Sequence, residues 1–567
     1  MKLIRLKITD PNGFRSLQPG FEYHFRTEWD LSEVDEFAPF ICAGRNGSGK
    51  SNLLEALAAI FFHLDCKGLE NRPELFEFNE ETAPDGYREE VCSPDAFELE
   101  FFGKPCLGFG ELIKEPYPHV LVKKEIGKGP EYYILNGVAV DCLVPLDSQA
   151  IKQLLPDYIV AYSSGENEIL SLPFFKMRFI NFDEYADALR NELPYYCPPD
   201  GKPEGRLAFF DQDFNQAIML SNFILAKDEA LAPFRIDIGL ERIHHFRIVI
   251  NEVMYPAPFI SMMKMSKSGE NVMVPPDQKL LLENCQAIIT KLEHCATTHF
   301  LDDDDTLYLD FWLDEACKAA FRLHFGDSLR LFQSFQLLLT LNLYSVSEAQ
   351  KREMYHSNSL YFNETIPILP SDQRVIRFKD VVLQKRGVKG TVYCKSLSDG
   401  ENQFLHTLGL CTLYREKSVL FLLDEPETHF NPDWRSKFIS RLRECFPESD
   451  KFREMIITTH TPFLISDSRP EKVLIFNKDE DTGLVTIKKP DYNTLGASIN
   501  KITMSTFDKR VTIGGYAESI LNELRKRFEA GHDPEQLIDE INSKLGDSVE
   551  KMLLIKAILD RMEEVTN

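Results

Sequence analysis

Residues 41–61 read ICAGRNGSGKSNLLEALAAIF, an apolar strand-like run followed by a glycine-rich turn and a helical pattern. Gly44, Gly49, Lys50 and Ser51 fall on the spacing G-x-x-x-x-G-K-[ST], which is typical of a phosphate-binding loop. The apolar residues that follow recur at helical spacing, so the loop is predicted to lie at a helix N-terminus, where backbone N–H groups attract anions. The stretch therefore predicts an α/β fold built around a phosphate site.

The residue types of this loop fit a nucleoside triphosphate with its metal ion. The backbone N–H groups from Asn46 to Lys50, including those of Gly47 and Gly49, are predicted to cradle phosphates. The Lys50 ammonium is expected to reach the terminal phosphates, and the Ser51 hydroxyl to bind Mg²⁺. The predicted cofactors are ATP and Mg²⁺.

Composition indicates a large globular protein. The 567 residues exceed one ordinary domain, and hydrophobic residues make up 43% of them, without low-complexity tracts. No apolar run reaches the roughly 18 residues that span a bilayer, and charges interrupt the start MKLIRLKITD, so we expect a cytoplasmic protein without a membrane segment. The 12 cysteines are scattered without a C-x-x-C pair and are predicted to be reduced thiols.

Charge limits the contacts that the chain can make with nucleic acid. A net charge of −25 argues against non-specific binding over the whole surface. The local basic candidates are Arg374, Arg377, Lys379, Lys385, Arg386, Lys389 and Lys395. Their alternation favours the solvent face of a β-hairpin, and contact with nucleic acid is the alternative.

A second apolar run, SVLFLLDEPE, ends in two acidic residues. Phosphate-loop proteins hold Mg²⁺ with a carboxylate at the end of such a strand, and Asp424 is predicted to be that ligand. Glu425 is then expected beside the γ-phosphate, where a carboxylate can orient the attacking water. The pattern alone is weak, because many buried strands end in an acidic turn.

The stretch SLSDGENQFLHTLGLCTLY, which begins at Ser396, lies just before that run. Ser398 and Glu401 form an S-x-x-E capping box before a helical pattern of apolar residues. Ser398, Asp399 and Gly400 would lie at the positive end of that helix, which predicts a second anion site. The alternative is a well-capped helix without a ligand.

The order of these motifs resembles the ATP-binding cassette (ABC) superfamily. LSDGE, about 26 residues before the strand end at Asp424 and Glu425, is similar to the LSGGQ-type signature ahead of a Walker B motif. REMIITTHTPFLI then resembles the strand that ends in the switch histidine, which implies that His460 contacts the γ-phosphate. A core or turn histidine is the alternative. EPETHFNPDW, with 431–433, occupies the place of the D-loop.

The N-terminal stretch LKITDPNGFRSLQPG is similar to the first strand and turn of RecF-like and OLD-like ATPases. The resemblance implies that Arg15 and Ser16 lie near the nucleotide. A hairpin turn around Asn12 and Gly13 is an alternative that is compatible with it. The residue that corresponds to the Q-loop glutamine stays open between Gln149 and the stretch YSSGENE from Tyr162.

The predicted fold class is α/β: an ABC-type ATPase head, in which a mixed phosphate-loop sheet is flanked by helices, with a mainly helical insertion and a helical C-terminal tail. The expected boundaries are 1–165 for the N-terminal ATPase lobe, 166–372 for the insertion, 373–490 for the C-terminal lobe and 491–567 for the tail. Residues 479–481 are interpreted as a hairpin tip, and no nuclease motif is recognised after His460. In the tail, Asp533 is predicted to cap a helix that begins at Pro534.

This layout resembles the PtuA-type ATPases of Septu anti-phage systems and of the retrons that use them. The resemblance implies a regulatory ATPase that controls a separate HNH-type nuclease, in retrons together with a reverse transcriptase and its RNA or DNA. Nucleic acid is then expected to be reached through partners. It also implies a head-to-tail dimer, or a higher even oligomer, in which Ser398 and Gly400 of one copy complete the ATP site of another.

Two other functions compete with this one. A RecF-like repair ATPase would bind DNA directly, which predicts a basic groove, and the net charge of −25 weighs against it. A transporter ATPase would need a membrane partner and a short chain, whereas about 350 residues separate Lys50 from Ser398 here.

Overall fold

The computed structural model of the chain describes residues 1–27, 37–69, 72–74, 76–81, 83–104, 117–135, 144–145, 152–165, 167–190, 205–251, 276–343, 348–356, 369–446, 453–507 and 513–566. Gln149, one Q-loop candidate, lies outside these residues. None of the described helices is both long enough and apolar enough to cross a membrane.

The strands in this part of the chain are β1 Lys2–Ile8, β2 Glu22–His24, β3 Phe40–Gly44, β4 Phe97–Phe102, β5 His119–Lys124, β6 Glu131–Ile134, β7 Val144–Pro145, β8 Tyr158–Ser163, β9 Leu207–Phe209, β10 Leu240–Asn251, β11 Thr298–Leu301, β12 Thr306–Trp312, β13 Ile376–Lys385, β14 Val392–Tyr393, β15 Val419–Asp424, β16 Glu454–Thr459, β17 Val473–Lys478 and β18 Val485–Lys488. The α-helices are α1 Lys50–Lys67, α2 Glu168–Arg190, α3 Asn215–Leu225, α4 Pro276–Cys295, α5 Glu315–Phe325, α6 Ser328–Thr340, α7 Glu348–His356, α8 Asp399–Leu413, α9 Pro432–Cys445, α10 Pro462–Ser466, α11 Ile499–Thr506, α12 Gly515–Glu529, α13 Pro534–Lys544 and α14 Val549–Thr566.

The central sheet has the strand order β18-β17-β3-β16-β15-β8-β9. Neighbouring strands are parallel except β17 and β18, which form a hairpin. Every residue of β3, β15 and β16 is buried, as expected for parallel strands that are covered on both faces. The predicted mixed sheet flanked by helices is confirmed.

Two hydrophobic cores lie on opposite faces of this sheet. Along β15, Phe421 and Leu423 belong to one core, whereas Leu420 and Leu422 belong to the other, as the period of two in a strand requires. Helices α3, α8 and α9 pack in the first core. Helix α1 packs in the second core with the antiparallel sheet β2-β1-β4-β5-β6-β7, so α1 is fixed against β3 and β15.

Residues 166–372 contain the helices α2 to α7, and they also contribute strands that the helical patterns did not reveal. Strand β9 extends the central sheet, and β10, β11 and β12 join β13 and β14 in an antiparallel sheet of order β11-β12-β10-β13-β14. The main pairing, β10 with β13, joins segments more than 100 residues apart in sequence. Local periodicity carries no information on such a partner.

The predicted hairpin after β17 and the predicted tail helices are confirmed. Strands β17 and β18 are antiparallel around the turn at 479–484. Helices α12, α13 and α14 pack around a small core of their own, which includes Leu524, Ile541 and Ile558. Asp533 caps α13 by accepting a hydrogen bond from the Glu535 backbone N–H.

Candidate functional site

The candidate site lies where neighbouring parallel strands end. Asp424 at the end of β15 is in register with Thr458 on β16 and with Ser163 on β8, and Thr459 is in register with Ala43 on β3. The carboxyl ends of β3, β8, β15 and β16 therefore meet at one edge of the sheet. In open α/β sheets this edge is the usual place for a ligand.

The loop after β3 has the backbone of a phosphate cradle. Gly44, Gly47 and Gly49 have φ angles of 148°, 74° and 97°. A Cβ on Gly44 would lie 2.4 Å from the carbonyl oxygen of Phe476, so a larger residue does not fit there. Gly49 is the N-cap of α1, and no side chain among the described residues caps that helix. The N–H groups that begin α1 therefore face the loop.

Lys50 provides the positive charge of the loop. Its ammonium donates to the carbonyl oxygens of Gly44 at 3.1 Å and Arg45 at 3.0 Å. The residue is only 5% exposed, and this burial lowers the pKa of Lys50 to about 8, although Glu425 and Asp424 attract the charged form. A bound phosphate would favour the charged form and strengthen that attraction.

Ser51 and Asp424 come together from positions 373 residues apart. The Ser51 hydroxyl donates to Asp424 Oδ1 at 2.9 Å, and the Thr458 hydroxyl donates to the same oxygen at 2.6 Å. Asp424 is buried, which leaves its carboxylate fixed by these neighbours. A hydroxyl and a carboxylate oxygen side by side are the ligands that Mg²⁺ prefers beside nucleotide phosphates, so the residues fit this ion.

Glu425 and His460 face each other across the ends of β15 and β16. Their side chains lie 2.9 Å apart, between His460 Nε2 and Glu425 Oε1. This contact is the main cause that lowers the pKa of Glu425, so the carboxylate is charged at neutral pH. Glu425 has a φ angle of 50°, and its backbone N–H donates to the Thr458 hydroxyl at 3.1 Å. The strained residue leaves the strand and presents its side chain at the sheet edge.

Glu427 was not predicted from the sequence. It is a buried carboxyl group close to Glu425. Glu427 is 3% exposed, and the Thr459 hydroxyl donates to its Oε1. The Thr459 hydroxyl oxygen in turn accepts from the Thr461 backbone N–H at 3.0 Å. Burial raises the pKa of Glu427 to about 7. Glu427 thereby fixes the backbone on both sides of His460.

Asn167 was also missed as an individual residue, although it belongs to the YSSGENE candidate stretch. Its side-chain amide donates to Asp424 Oδ2 at 3.0 Å and to Glu55 Oε1 at 3.3 Å. Glu55 is buried on α1, and burial raises its pKa. No local pattern marks Asn167, because its role depends on β8 lying parallel to and beside β15, a pairing that only the structure shows.

The N-terminal turn brings Ser16 to the phosphate loop. The Ser16 hydroxyl donates to Asn52 Oδ1 at 2.5 Å, and a Cβ on Gly49 would lie 2.8 Å from the Ser16 hydroxyl oxygen. Arg15 is exposed, has a φ angle of 56° and places its guanidinium 5.8 Å from the ring centre of Phe14. Arg15 therefore belongs to the rim of the site, and Ser16 to its wall.

The predicted capping box is present at the start of α8. The Ser398 hydroxyl accepts from the Glu401 backbone N–H at 3.3 Å, and Glu401 Oε2 accepts from the Ser398 N–H at 2.9 Å. A Cβ on Gly400 would lie 2.7 Å from the carbonyl oxygen of His429, so glycine permits the D-loop segment to pack on α8. Within the described residues, Ser398 makes its side-chain hydrogen bond inside this box and none to the phosphate loop.

The D-loop segment continues directly into α9. Asn431 is the N-cap of α9, where its side chain accepts from the Trp434 backbone N–H at 2.8 Å, and Pro432 is the first helical residue. Gln403 on α8 accepts from the His429 backbone N–H at 2.9 Å. This hydrogen bond therefore joins α8 to the segment that leads into α9.

The described residues contain no group of three or more His, Cys, Asp or Glu placed to hold a metal ion. Nine cysteines in the described part of the chain are free thiols, as predicted.

Comparisons with known proteins support the ATPase interpretation. Residues 299–466 match a family described as "AAA domain, putative AbiEii toxin, Type IV TA system". Protein ea59 of Escherichia phage lambda is 27% identical over 173 residues, which cover 30% of this chain and 31% of that protein. The chain thus matches about a third of that relative's length. The family match contains Ser398, Asp424, Glu425 and His460.

Similar solved structures include an SMC head domain from Thermotoga maritima, with a TM-score of 0.31 and 12% identity over 87% of this chain and 100% of that one. Another is the SMC head bound to the C-winged helix domain of ScpA, with a TM-score of 0.30 and 12% identity over 86% of this chain and 98% of that one.

Proposed function

We propose that this chain binds and hydrolyses ATP and is the regulatory subunit of an anti-phage complex in which a separate HNH-type nuclease cleaves nucleic acid. The observation that carries the ATPase part is the meeting of Ser51 with Asp424 and of Glu425 with His460 at one sheet edge. These pairs come from motifs more than 370 residues apart in one case and 35 in the other. Chance would not bring a hydroxyl, two carboxylates and an imidazole to a phosphate loop.

The chain's own residues divide the binding work. The N–H groups from Asn46 to Lys50 hold phosphate oxygens, and the buried Lys50 ammonium neutralises their charge. Ser51 and Asp424 hold Mg²⁺, which supplies Lewis-acid stabilisation of the phosphates when it is bound. Ser16 and Arg15 close the side of the loop nearest the N-terminus.

Hydrolysis needs a base that positions water, and Glu425 is the charged carboxylate available for it. His460 lies against Glu425 and holds the carboxylate in place. We assign His460 the role of sensing the γ-phosphate, because it follows β16, which lies directly beside the loop's own strand β3 in the central sheet. Glu427 and Thr459 keep the His460 ring in position.

The second half of the site is proposed to come from another copy. Ser398 is exposed at the start of α8 and Gly400 is buried behind it, and the capping box leaves the Ser398 hydroxyl proton free to donate. ATP would then hold two copies together head to tail, and hydrolysis would loosen that contact. Assemblies with a higher even number of copies would form if other surfaces of the chain also bind each other.

The defence role rests on weaker support than the ATPase role. The description of the matched family names a putative toxin of a toxin–antitoxin system, and one similar protein comes from a phage. The insertion and the three-helix tail supply surfaces beyond the ATPase head for a nuclease, and in a retron for a reverse transcriptase with its RNA or DNA. A cytoplasmic location is part of this proposal.

The test is to purify the tagged chain from its native operon and to identify its partners by native mass spectrometry. A stoichiometric HNH-type nuclease is the expected result. A bare dimer whose ATP hydrolysis rises when DNA is added would contradict the regulatory role and support direct DNA repair instead.

A further inference from the structure

We propose that the exposed face of the sheet β11-β12-β10-β13-β14 binds single-stranded nucleic acid, with bases stacked on Phe300 and Trp312 and phosphates held by cations of β10 and β13. The inference goes beyond the proposed function, because it gives the ATPase its own nucleic-acid surface. It depends on neither ATP binding nor hydrolysis.

One face of this sheet is directed away from the core. Along β12, Leu307, Leu309 and Phe311 are buried in the hydrophobic core. The intervening Tyr308 and Asp310 are half-buried, and Trp312 is exposed, so the opposite face is accessible. The same alternation along β10 places Phe246 and Ile248 in the core, and Arg247 on the accessible face.

Two aromatic rings on this face are stacked from one side and exposed. Phe300 stacks on Tyr308 with ring centres 4.7 Å apart and an interplanar angle of 6°. Trp312 stacks on His245 at 4.9 Å and 21°. Phe300 remains 46% exposed and Trp312 51%. A ring that is held flat by a neighbour and open to solvent is a stacking platform for a base, at little entropic cost.

The spacing of the two platforms suits an extended strand. Phe300 is paired with Tyr308, and Trp312 lies four residues further along β12, about 13 Å away at the usual rise of a strand. Bases in a duplex are already stacked and paired, so only unpaired bases can use both rings. The ligand is therefore single-stranded.

Cations lie beside the rings. The five strands carry the basic side chains of Arg242, Arg247, Arg377 and Lys379, together with the acidic ones of Glu241, Asp310 and Asp380. Lys385, at the end of β13, binds Glu401 of α8 on the core side of the sheet and does not contribute to this face. Phosphates would be attracted to the cations of β10 and β13.

The register places these cations next to the platforms. Arg247 is paired across the sheet with both Asp310 and Lys379. Its guanidinium binds both carboxylate oxygens of Asp310, at 2.6 Å and 2.8 Å, and lies 5.6 Å from the ring centre of Tyr308. Arg247 is thereby held rigid between the aromatic strand β12 and the basic strand β13.

Acidic residues limit where the phosphates of the bound strand can lie. The turn between β11 and β12 carries the run 302–305, all aspartate, next to Phe300. Phosphates would be repelled from this end of the hairpin. The sugar–phosphate backbone is therefore expected on the β13 side of the rings, where the hairpin after β13 adds Arg386 and Lys389.

The experiment measures fluorescence anisotropy of labelled oligo-dT and oligo-U of about 20 nucleotides, and of the matching duplex, with the nucleotide-free full chain. We expect the single strands to bind and the duplex to bind more weakly. Trp312→Ala and Phe300→Ala should each weaken binding roughly 5- to 100-fold, whereas Trp312→Phe should keep most of it. Comparing the affinities for oligo-dT and oligo-U shows whether the face prefers DNA or RNA.

Matched controls separate this face from the rest of the surface. Tyr516→Ala removes an aromatic side chain in the tail, where the residue is 83% exposed, and should leave binding unchanged. Lys379→Ala should reduce the dependence of log affinity on log salt by about one, and Lys128→Ala, on the β5–β6 hairpin, should not change it. Lys50→Ala should bind the oligonucleotides as wild type does. The outcome of this experiment therefore does not depend on the assignment of the ATP site.

Three results would overturn the inference. They are no binding of either single strand by wild-type protein at micromolar concentrations, equal binding of duplex and single strand, or unchanged binding by both ring variants. If neither single strand binds, the exposed aromatic face would instead be assigned to a protein partner.

Discussion

Two helix N-termini of this molecule are predicted to meet phosphate, and they are built differently. At α1, the N-cap Gly49 has a φ angle of 97°, and no side chain of the described residues caps the helix. At α8, the N-cap Ser398 has a φ angle of −69°, and a complete capping box satisfies the backbone N–H groups of Ser398 and Glu401. One helix start leaves its donors for a ligand, and the other satisfies two of them internally.

This difference indicates which half of the site can bind nucleotide on its own. The α1 end has the backbone donors, the buried Lys50 and the Ser51–Asp424 pair, so we expect it to hold a phosphate ligand without the α8 half. The α8 end retains only the Ser398 hydroxyl proton and the positive end of its helix. We infer that α1 provides affinity and α8 provides the contact between copies.

The ATP hydrolysis rate should change most, through Glu425 in the α1 half of the site. Glu425→Gln should lower the ATP hydrolysis rate by about 10²- to 10⁴-fold, because the variant lacks the carboxylate that positions water. ATP should remain bound, and steady-state phosphate release with a bound-nucleotide assay measures both. The control Glu416→Gln, at a residue whose side chain is 72% exposed, should hydrolyse ATP normally. Rapid turnover by Glu425→Gln would exclude Glu425 as the base.

Lys50→Ala should weaken ATP binding about 100-fold or more, because the variant lacks the buried ammonium group that contacts phosphate. Isothermal titration calorimetry measures the dissociation constant. Lys437→Ala, which removes a lysine 45% exposed on α9, should bind ATP as wild type does. Unchanged binding by Lys50→Ala would contradict the assignment of the whole α1 half.

The pH dependence of binding is the next effect in size. The pKa of Lys50 is lowered to about 8 by burial, and bound phosphate favours the charged lysine, so binding above that pH must take up a proton. ATP affinity should therefore be constant below pH 8 and fall by up to about tenfold per pH unit above it. Lys50→Arg, charged throughout, should bind without this dependence. A wild-type affinity that is flat to pH 10 would contradict the prediction.

The smallest effect separates capping from ligand contact at α8. Ser398→Ala should destabilise the helix start by about 1 kcal/mol, whereas Ser398→Asn should keep the cap. Thermal unfolding measures this difference. Both variants lack the hydroxyl, so both should weaken ATP-dependent association, as measured by sedimentation velocity. If Ser398→Asn associates as wild type does, Ser398 serves only to cap the helix.

Sequence reasoning found the parts of the site in which chemistry and local structure use the same residues. The phosphate loop, the capping box and the strand ends at Asp424 and His460 each carry a local signal. Glu427 and Asn167 carry none, because their roles arise from burial and from the neighbouring strand. The sheet that joins β10 to β13 was missed for the same reason, since its pairing is non-local.

We propose that each ATP site is completed by a second copy, and mixing two inactive variants tests this. Lys50→Ala lacks a working α1 half, and Ser398→Asp, which keeps the cap but places a negative charge where phosphate would bind, lacks a working α8 half. Mixed dimers contain one site with both halves intact, so equal mixing should restore about a quarter of the wild-type hydrolysis rate. A mixture no more active than the separate variants, while the Ser398→Asp variant still binds ATP, would contradict a shared site.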